Sequence, residues 1–376
     1  MNFNYNLPVN LIFGRGRAEE IGHIAAAWGH KALLVTGTGS TKKSGLLDRT
    51  ISCLKKAEVE SVIFDRVTQN PLTTTAMEGT ALSREASCDM VVGLGGGSIM
   101  DCAKAIAFLH VNEGDINEYI FNKRISDKAL PLLLIPTTCG TGSEGNGFAV
   151  LTNPETGDKK SLRSNAVIAK ASIIDSQLME TLPLPVLASV GFDALCHSME
   201  AWLSKIGQPL TDMMSLSAIE LLGRHLPELC SGSKDPAAWD AVCWASTLGG
   251  MAINSAGITL PHAMEHPASG LKNIIHGRGL AALTPVITEK SCHASPQKYG
   301  VISRLLGGTD ANDCAKRLRM LLSDIGLETT LSAQGITSAD IPWMTENCFH
   351  VSAAGIANHP VSFTKNEISG LYQDAL

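Results

Sequence analysis

Two pairs of residues in this 376-residue chain have the spacing at which helical side chains can share one ion. Asp193 precedes His197 by four residues, His262 precedes His266 by four, and His276 follows ten residues later. An interval of four places two side chains on one helix face, and imidazole nitrogens with a carboxylate suit zinc or ferrous iron. The alternatives are a solvated polar face for the first pair and a paired core histidine in the second segment.

Two other segments combine a strand-like run with a loop suited to phosphate or ribose. The run Met90–Leu94 leads into Gly95–Ser98, and a helical pattern containing Asp101 follows. Consecutive glycines let a ligand approach the backbone, and the start of a helix favours a pyrophosphate. The run Leu132–Ile135 leads into the hydroxyl-rich loop Pro136–Glu144, at the end of a strand where parallel sheets bind ligands. A tight turn is the alternative for either loop alone, but the two together predict a dinucleotide site.

The elements around these loops predict an α/β half followed by a helical half. Strand-like runs alternate with helical patterns near residues 44–57, 73–87 and 98–110, which indicates a Rossmann-like parallel sheet covered by helices on both faces. After the proline-rich segment Thr181–Pro185 only helical periodicity remains, and a helix is predicted over residues 188–204. We therefore expect an α/β dinucleotide-binding domain over residues 1–183 and an all-helical metal-binding and substrate domain over 184–376. The predicted strands are Lys31–Thr36, Ser61–Phe64, Met90–Leu94, Leu132–Ile135 and Ser172–Asp175, with Val9–Phe13 as an added edge strand.

Composition excludes several classes of protein. The net charge is -6 and no lysine or arginine cluster exceeds a pair, which argues against nucleic-acid binding. The ten cysteines are scattered without a C-x-x-C pair, which favours reduced thiols in the cytoplasm. The amino terminus has no signal-peptide pattern, and no apolar run is long enough to span a membrane.

The motifs together resemble those of the iron-containing (group III) alcohol dehydrogenases. The resemblance covers nearly the whole chain, in family order and spacing, and ends with Ala357–Pro360. It implies the two-domain fold expected above, with the active site between the domains. It also implies a metal-dependent, NAD- or NADP-linked oxidoreductase that interconverts a primary alcohol and its aldehyde, the metal polarising the substrate oxygen. A homo-oligomer, a dimer or larger, is expected by the same resemblance.

The resemblance assigns roles to individual residues. Asp193, His197, His262 and His276 match the ligands of a divalent ion, iron or zinc. His266 matches a histidine near the substrate, and because histidine titrates near neutral pH it is the candidate catalytic proton relay. The positions that match or adjoin cofactor contacts are Asn70, Gly96, Gly97, Ser98, Asp101, Thr137, Thr138, Thr141 and Lys159, with Lys160 as the alternative to Lys159. Cys139 and Ile99 depart from the commoner family residues, and neither removes a polar group that the chemistry needs.

The loop after the first strand should decide between NAD and NADP. NAD-preferring relatives often carry an aspartate at this turn, where the present chain has Gly37, Gly39 and Ser40. Because that acid is absent and Lys42 and Lys43 follow, we expect NADP to be at least tolerated.

Two other readings compete with the dehydrogenase. A lyase of the dehydroquinate synthase type would also use NAD and a metal, but it needs a basic substrate site, whereas the neighbours of the histidines here are apolar. A non-catalytic nucleotide-binding protein would be favoured if a ligand or loop glycine were missing, and none is.

Overall fold

The first half of the molecule is built on a six-stranded parallel sheet. The computed structural model describes residues 2–376. The strands of the chain are β1 (Asn10–Phe13), β2 (Lys31–Gly37), β3 (Glu60–Val67), β4 (Met90–Gly95), β5 (Leu132–Pro136), β6 (Phe148–Thr152), β7 (Lys159–Arg163) and β8 (Ala171–Ile174). In the six-stranded sheet they run in the order β1-β8-β5-β4-β2-β3, and every neighbouring pair is parallel. All six predicted strands are confirmed, including the edge strand.

Helices cover both faces of this sheet. They are α1 (Ile21–Ala26), α2 (Ser40–Lys43), α3 (Leu46–Lys56), α4 (Thr73–Glu85), α5 (Gly97–His110) and α6 (Ile116–Ile120). Along β2, Leu33 belongs to the core formed with α4 and α5, whereas Leu34 belongs to the core formed with α1 and α3. This alternation follows from the period of two in a strand, and burial on both faces explains the continuous apolar runs. The expected α/β class is confirmed.

The second half is helical. Its first helix begins at Leu184, four residues before the predicted start, because Pro183 caps it and Pro185 fits its first turn. No strand occurs between residues 184 and 376. The helices are α7 (Leu184–Leu203), α8 (Pro209–Cys230), α9 (Pro236–Ala256), α10 (Leu260–Lys272), α11 (His276–Ser291), α12 (Pro296–Leu305), α13 (Cys314–Asp324), α14 (Ile341–Asn358) and α15 (Lys365–Asp374).

The antiparallel hairpin of β6 and β7 was not predicted. Phe148 pairs with Arg163 and Thr152 pairs with Lys159 across it. Its second strand reads Lys-Lys-Ser-Leu-Arg, which lacks the apolar alternation used to find strands. The turn between the strands carried a usable signal, because it contains Asn153-Pro154 and ends near Gly157, which has a positive φ of 75°.

The sheet brings the two ligand-binding loops together. Gly95 and Pro136, the last residues of β4 and β5, are neighbours in register, so the loops that follow meet at one edge of the sheet. Within residues 2–376, none of the helices has the length and apolar character of a membrane span.

Candidate active site between the sheet and the helical half

Three of the four predicted metal ligands converge tightly. Asp193 comes from α7, His262 from α10 and His276 from the first position of α11. One ligand atom from each lies within 4.8 Å of the others. The Asp193 Oδ1 atom is 3.3 Å from His262 Nε2 and 3.6 Å from His276 Nε2. This spacing is compatible with one divalent ion held by all three.

His197, the fourth predicted ligand, lies beside this group and outside its tightest part. Its Nδ1 atom is 3.6 Å from Asp193 Oδ1, and its ring stacks on His262 with centroids 4.3 Å apart. The same Nδ1 atom is buried and has no hydrogen-bond partner. A buried unpaired nitrogen is costly, and an ion at the cluster would satisfy it, so the residue set fits a metal site.

Two buried glutamates orient the ligand histidines. Glu200 Oε1 accepts a hydrogen bond of 2.5 Å from His262 Nδ1, and Glu265 pairs in the same way with His276 Nδ1. These pairings place a ring proton on Nδ1, so Nε2 of both rings faces Asp193 and is the atom that would bind the ion. Sequence reasoning missed both roles, because it placed Glu200 only on a polar helix face and used Glu265 only to exclude a zincin motif.

The carboxylates also set the protonation of the cluster. Burial alone would lower the pKa of His262, but Glu200 and Asp193 outweigh it and raise that pKa to about 10. Burial lowers the pKa of His197 to about 4. For Asp193, burial would raise the pKa, but the neighbouring histidines hold it below its usual range. An ion must therefore displace a proton from His262, so metal affinity should increase with pH.

A cavity of about 130 Å³ adjoins the metal cluster on the side of the sheet. His197, His262, His266 and His276 all line it. The predicted cofactor residues that also line it are Asn70, Gly97, Ser98, Asp101, Thr141 and Lys159. The others, Gly37, Gly39, Ser40, Gly96, Thr137 and Thr138, lie outside its lining, at the ends of β2, β4 and β5.

The glycine loop packs directly on the hydroxyl-rich loop. A Cβ atom at Gly97 would lie 2.3 Å from the Cγ2 atom of Thr141, and one at Gly96 would lie 3.0 Å from Thr138 Oγ1. Any side chain at Gly97 would therefore push the loops apart. The contact between the loops explains why the first helical position after β4 is glycine. It also leaves the free N–H groups at the start of α5 beside the cavity.

Asp101 is held by protein donors. Its Oδ1 accepts from Ser143 Oγ at 2.6 Å, and its Oδ2 accepts from the backbone N–H of Val150 at 2.9 Å. The neighbouring Lys104 donates to the Ser143 carbonyl at 2.6 Å and to Asn146 Oδ1 at 3.1 Å. Both charged residues thus attach α5 to the loop after β5 and to β6. These contacts favour a positioning role for Asp101, in addition to the cofactor contact predicted for it from the sequence.

Lys159 connects the two halves of the site. Its Nζ atom lies 3.0 Å from Asn70 Oδ1 and 3.4 Å from Glu265 Oε2. Lys160, the alternative, points elsewhere and donates to the Val351 carbonyl at 2.6 Å. The geometry therefore favours Lys159 over Lys160 as the predicted residue of the site. Its Nζ atom also lies 3.3 Å from His276 Nδ1, so Lys159, Glu265 and His276 contact one another.

His266 faces the cavity beside the cluster. Its ring centroid is 6.0 Å from that of His276 and 6.3 Å from that of His262. Burial, followed by the positive charge of Lys159, lowers the pKa of His266 well below its ordinary value. The sequence-based argument assumed an unperturbed pKa, whereas the structure makes His266 a neutral imidazole at pH 7 that can accept or pass on a proton.

Replacing His266 by alanine should leave the metal content unchanged and lower kcat by about a hundredfold, because a proton-transfer group is lost while the ion keeps its ligands. Elemental analysis and the pH profile of kcat, measured on the same preparation, check this. If the variant loses its metal, His266 is a ligand and the assignment is wrong.

Comparison with known proteins agrees with this geometry. The model of the iron-containing alcohol dehydrogenase family matches residues 8–176, and the model of its C-terminal family matches residues 187–376. A 1,3-propanediol dehydrogenase of Klebsiella pneumoniae is 34% identical over 99% of this chain and 98% of that protein. An NAD-dependent methanol dehydrogenase of Bacillus methanolicus is 27% identical over 99% of this chain and 100% of its own. An archaeal halo-thermophilic alcohol dehydrogenase from a Red Sea brine pool superimposes with a TM-score of 0.96 at 34% identity, covering 100% of this chain and 99% of that one.

The chain belongs to the iron-containing alcohol dehydrogenase family. The predicted family, fold and enzyme class are therefore confirmed: it is an alcohol dehydrogenase of the NAD(P)-linked, metal-dependent type that interconverts alcohols and aldehydes.

Proposed function

We propose that Asp193, His197, His262 and His276 hold one divalent ion, ferrous iron or zinc, at which a primary alcohol and its aldehyde are interconverted. The observation that carries this proposal is the approach of three ligand atoms within 4.8 Å beside a cavity that the glycine loop also lines. When bound, the ion polarises the substrate oxygen and the nicotinamide supplies or accepts the hydride. Residues 1–183 form the nucleotide domain of this enzyme and residues 184–376 its metal and substrate domain.

The residues of the chain bind and orient the reactants. The amino-terminal N–H groups of α5, at Gly97 and Ser98, receive the pyrophosphate. Lys159, held by Asn70 and Glu265, adds a positive charge at the nucleotide. His266 exchanges the substrate proton with solvent. Apolar side chains such as Ile253 keep bulk water away from the reacting carbon.

The substrate is a small primary alcohol or its aldehyde. The cavity of about 130 Å³ suits a short chain, and two of the relatives are named for 1,3-propanediol and methanol. The test is to load purified protein with ferrous iron or zinc and follow the loss of the dihydronicotinamide absorbance with a short aldehyde. Absence of turnover with either metal bound would refute the proposal.

We also propose a cytoplasmic homo-oligomer. All ten cysteines are free thiols, which supports a reducing compartment. Ile206 and Met213 are 63% and 68% exposed near the start of α8, and exposed apolar side chains of this kind favour a subunit contact. Light scattering coupled to size exclusion measures the assembly.

NADP should be used with a kcat/KM within a hundredfold of that for NAD. The loop of Gly37, Gly39 and Ser40 carries no acid to repel a 2′-phosphate. Lys42 is paired with Asp65, whereas Lys43 is exposed with no carboxylate within 4 Å among residues 2–376, so Lys43 is the cation available to the phosphate. Lys43→Met should weaken NADP use about threefold to tenfold and spare NAD. Steady-state rates with both cofactors check this, and a larger than hundredfold preference for NAD would contradict it.

A further inference from the structure

One permanent cation lines the candidate active-site cavity without an acidic partner. Arg163, the last residue of β7, lines the same cavity as the four histidines of the site. Its guanidinium lies over the Phe148 ring, 4.9 Å from the centroid. In the part of the chain that the structure describes, no carboxylate lies within 4 Å of it. The lysine of the cavity lining, Lys159, is already bound to Asn70 and Glu265.

The hairpin fixes where Arg163 stands relative to the metal cluster. Lys159, Ser161 and Arg163 alternate along β7 and all line the cavity, so they share one face of the strand. Lys159 is buried, Ser161 is half-buried and Arg163 is exposed. These three residues therefore lead from the metal end of the cavity, where Lys159 contacts Glu265, to its solvent end, where Arg163 lies. Arg163 lies about 13 Å along the strand from Lys159, given the rise per residue.

The wall between these ends is apolar. Phe148 and Val150, on the facing strand β6, and Ile253 and Ile258, at and just after the end of α9, line the same cavity. Such a wall favours methylene groups, whereas a guanidinium favours a carboxylate, sulfonate or phosphate, which it binds through two parallel hydrogen bonds. Stacking on Phe148, its partner in the hairpin register, restricts the Arg163 side chain before any ligand arrives.

We propose that Arg163 binds the anionic group of an ω-hydroxy or ω-oxo acid whose alcohol or aldehyde end reacts at the metal cluster. The inference rests on the proposed function and names the substrate class. In the reduction, the carbonyl carbon gains the hydride that the reduced nicotinamide supplies and the oxygen gains a proton from solvent. The acid group is unchanged, and its charge serves only for recognition.

The experiment compares matched substrates with the metal-loaded enzyme. Succinic semialdehyde and butanal have the same chain length and differ at the end away from the aldehyde. The wild-type enzyme should prefer the acid, and Arg163→Met should lower kcat/KM for the acid about tenfold to hundredfold while that for butanal stays within about threefold. Arg163→Lys should be intermediate, since it keeps the charge and loses the bidentate geometry.

The controls separate the inference from the proposed function. Lys170→Met removes another cation that lies over an aromatic ring, Trp28, at the opposite end of the sheet, and should change neither rate. Two outcomes would overturn the role of Arg163 and leave the proposed dehydrogenase activity intact. The wild type could reduce butanal without preferring the acid, or Arg163→Met could lower kcat/KM equally for both aldehydes. If Arg163→Met instead raised the KM for the cofactor with both aldehydes, Arg163 would lie at the nucleotide, and that result would also overturn its proposed role in binding the substrate anion.

A binding measurement covers the case in which neither aldehyde is reduced, an outcome that would refute the proposed function. Calorimetry with the metal-loaded protein compares 4-hydroxybutyrate with 1-butanol, which have the same chain length and differ by the carboxylate. The wild type should bind 4-hydroxybutyrate at least tenfold more tightly, and Arg163→Met should remove that difference. Equal affinities for both alcohols in the wild type would refute the anion site. Extension of the aldehyde panel to 6-oxohexanoate, a sulfonate and a phosphate then identifies the preferred length and charge.

Discussion

Replacing His276 by alanine is expected to remove most of the bound divalent ion and to lower turnover on the order of a thousandfold. His276 Nε2 lies 3.6 Å from Asp193 Oδ1, and Glu265 holds its Nδ1, so the ring presents Nε2 to the other ligand atoms. Loss of one imidazole leaves an incomplete ligand set, and Glu265 keeps Lys159 at 3.4 Å but loses its contact with the His276 ring. Elemental analysis of the purified variant, with steady-state rates at saturating metal, provides the measurement.

The matched control is His293→Ala, which removes an exposed histidine outside the cavity lining. It should keep wild-type metal content and rate. A thermal shift on addition of metal gives a readout independent of activity, because an ion that binds only the folded protein raises its midpoint. The shift should be present in the wild type and in His293→Ala and much smaller in His276→Ala. Full metal occupancy in His276→Ala would disprove the ligand assignment.

The spacing of apolar residues was sufficient to predict the strands of this molecule and the faces on which they are buried. Strands buried on both faces produce apolar runs of four to seven residues that are visible in any sequence, and Leu33 and Leu34 had to face opposite layers. The meeting of the loops after β4 and β5 followed from parallel strands in one sheet. Local pattern and chain direction determine both features.

The contacts between distant segments were less accessible from the sequence. Glu200 and His262 are separated by 62 residues, and Lys159 and Glu265 by 106, so no spacing rule connects them. A buried glutamate also looks the same in the sequence as one on a solvated helix face. The hairpin that carries Arg163 was not predicted, because its second strand is mostly polar. The strand is polar because one of its faces lines the cavity. Residues that form a ligand site thus weaken the very pattern used to locate strands.

Lys104→Met should destabilise the protein by about 3 kcal/mol, which corresponds to a fall in Tm of roughly 4 °C. Lys104 is fully buried, and its Nζ atom donates to the carbonyls of Ser143 and Phe148 at 2.6 and 2.7 Å as well as to Asn146. Burial lowers its pKa to about 8, so the ammonium remains charged at neutral pH. Methionine fills the space but removes the donor to these three acceptors and the positive charge beside Asp101.

The same substitution should raise the KM for the nicotinamide cofactor more than it lowers kcat, because Lys104 fixes the loop that carries Thr141 beside the cavity. Thermal unfolding and cofactor KM are measured together, with Lys316→Met, an exposed lysine on α13, as the control that should change neither. A Tm unchanged from the wild type would mean that the loop holds its conformation without Lys104. A lower Tm with an unchanged KM would limit Lys104 to a role in stability, since the loop would then still present Thr141 to the cofactor.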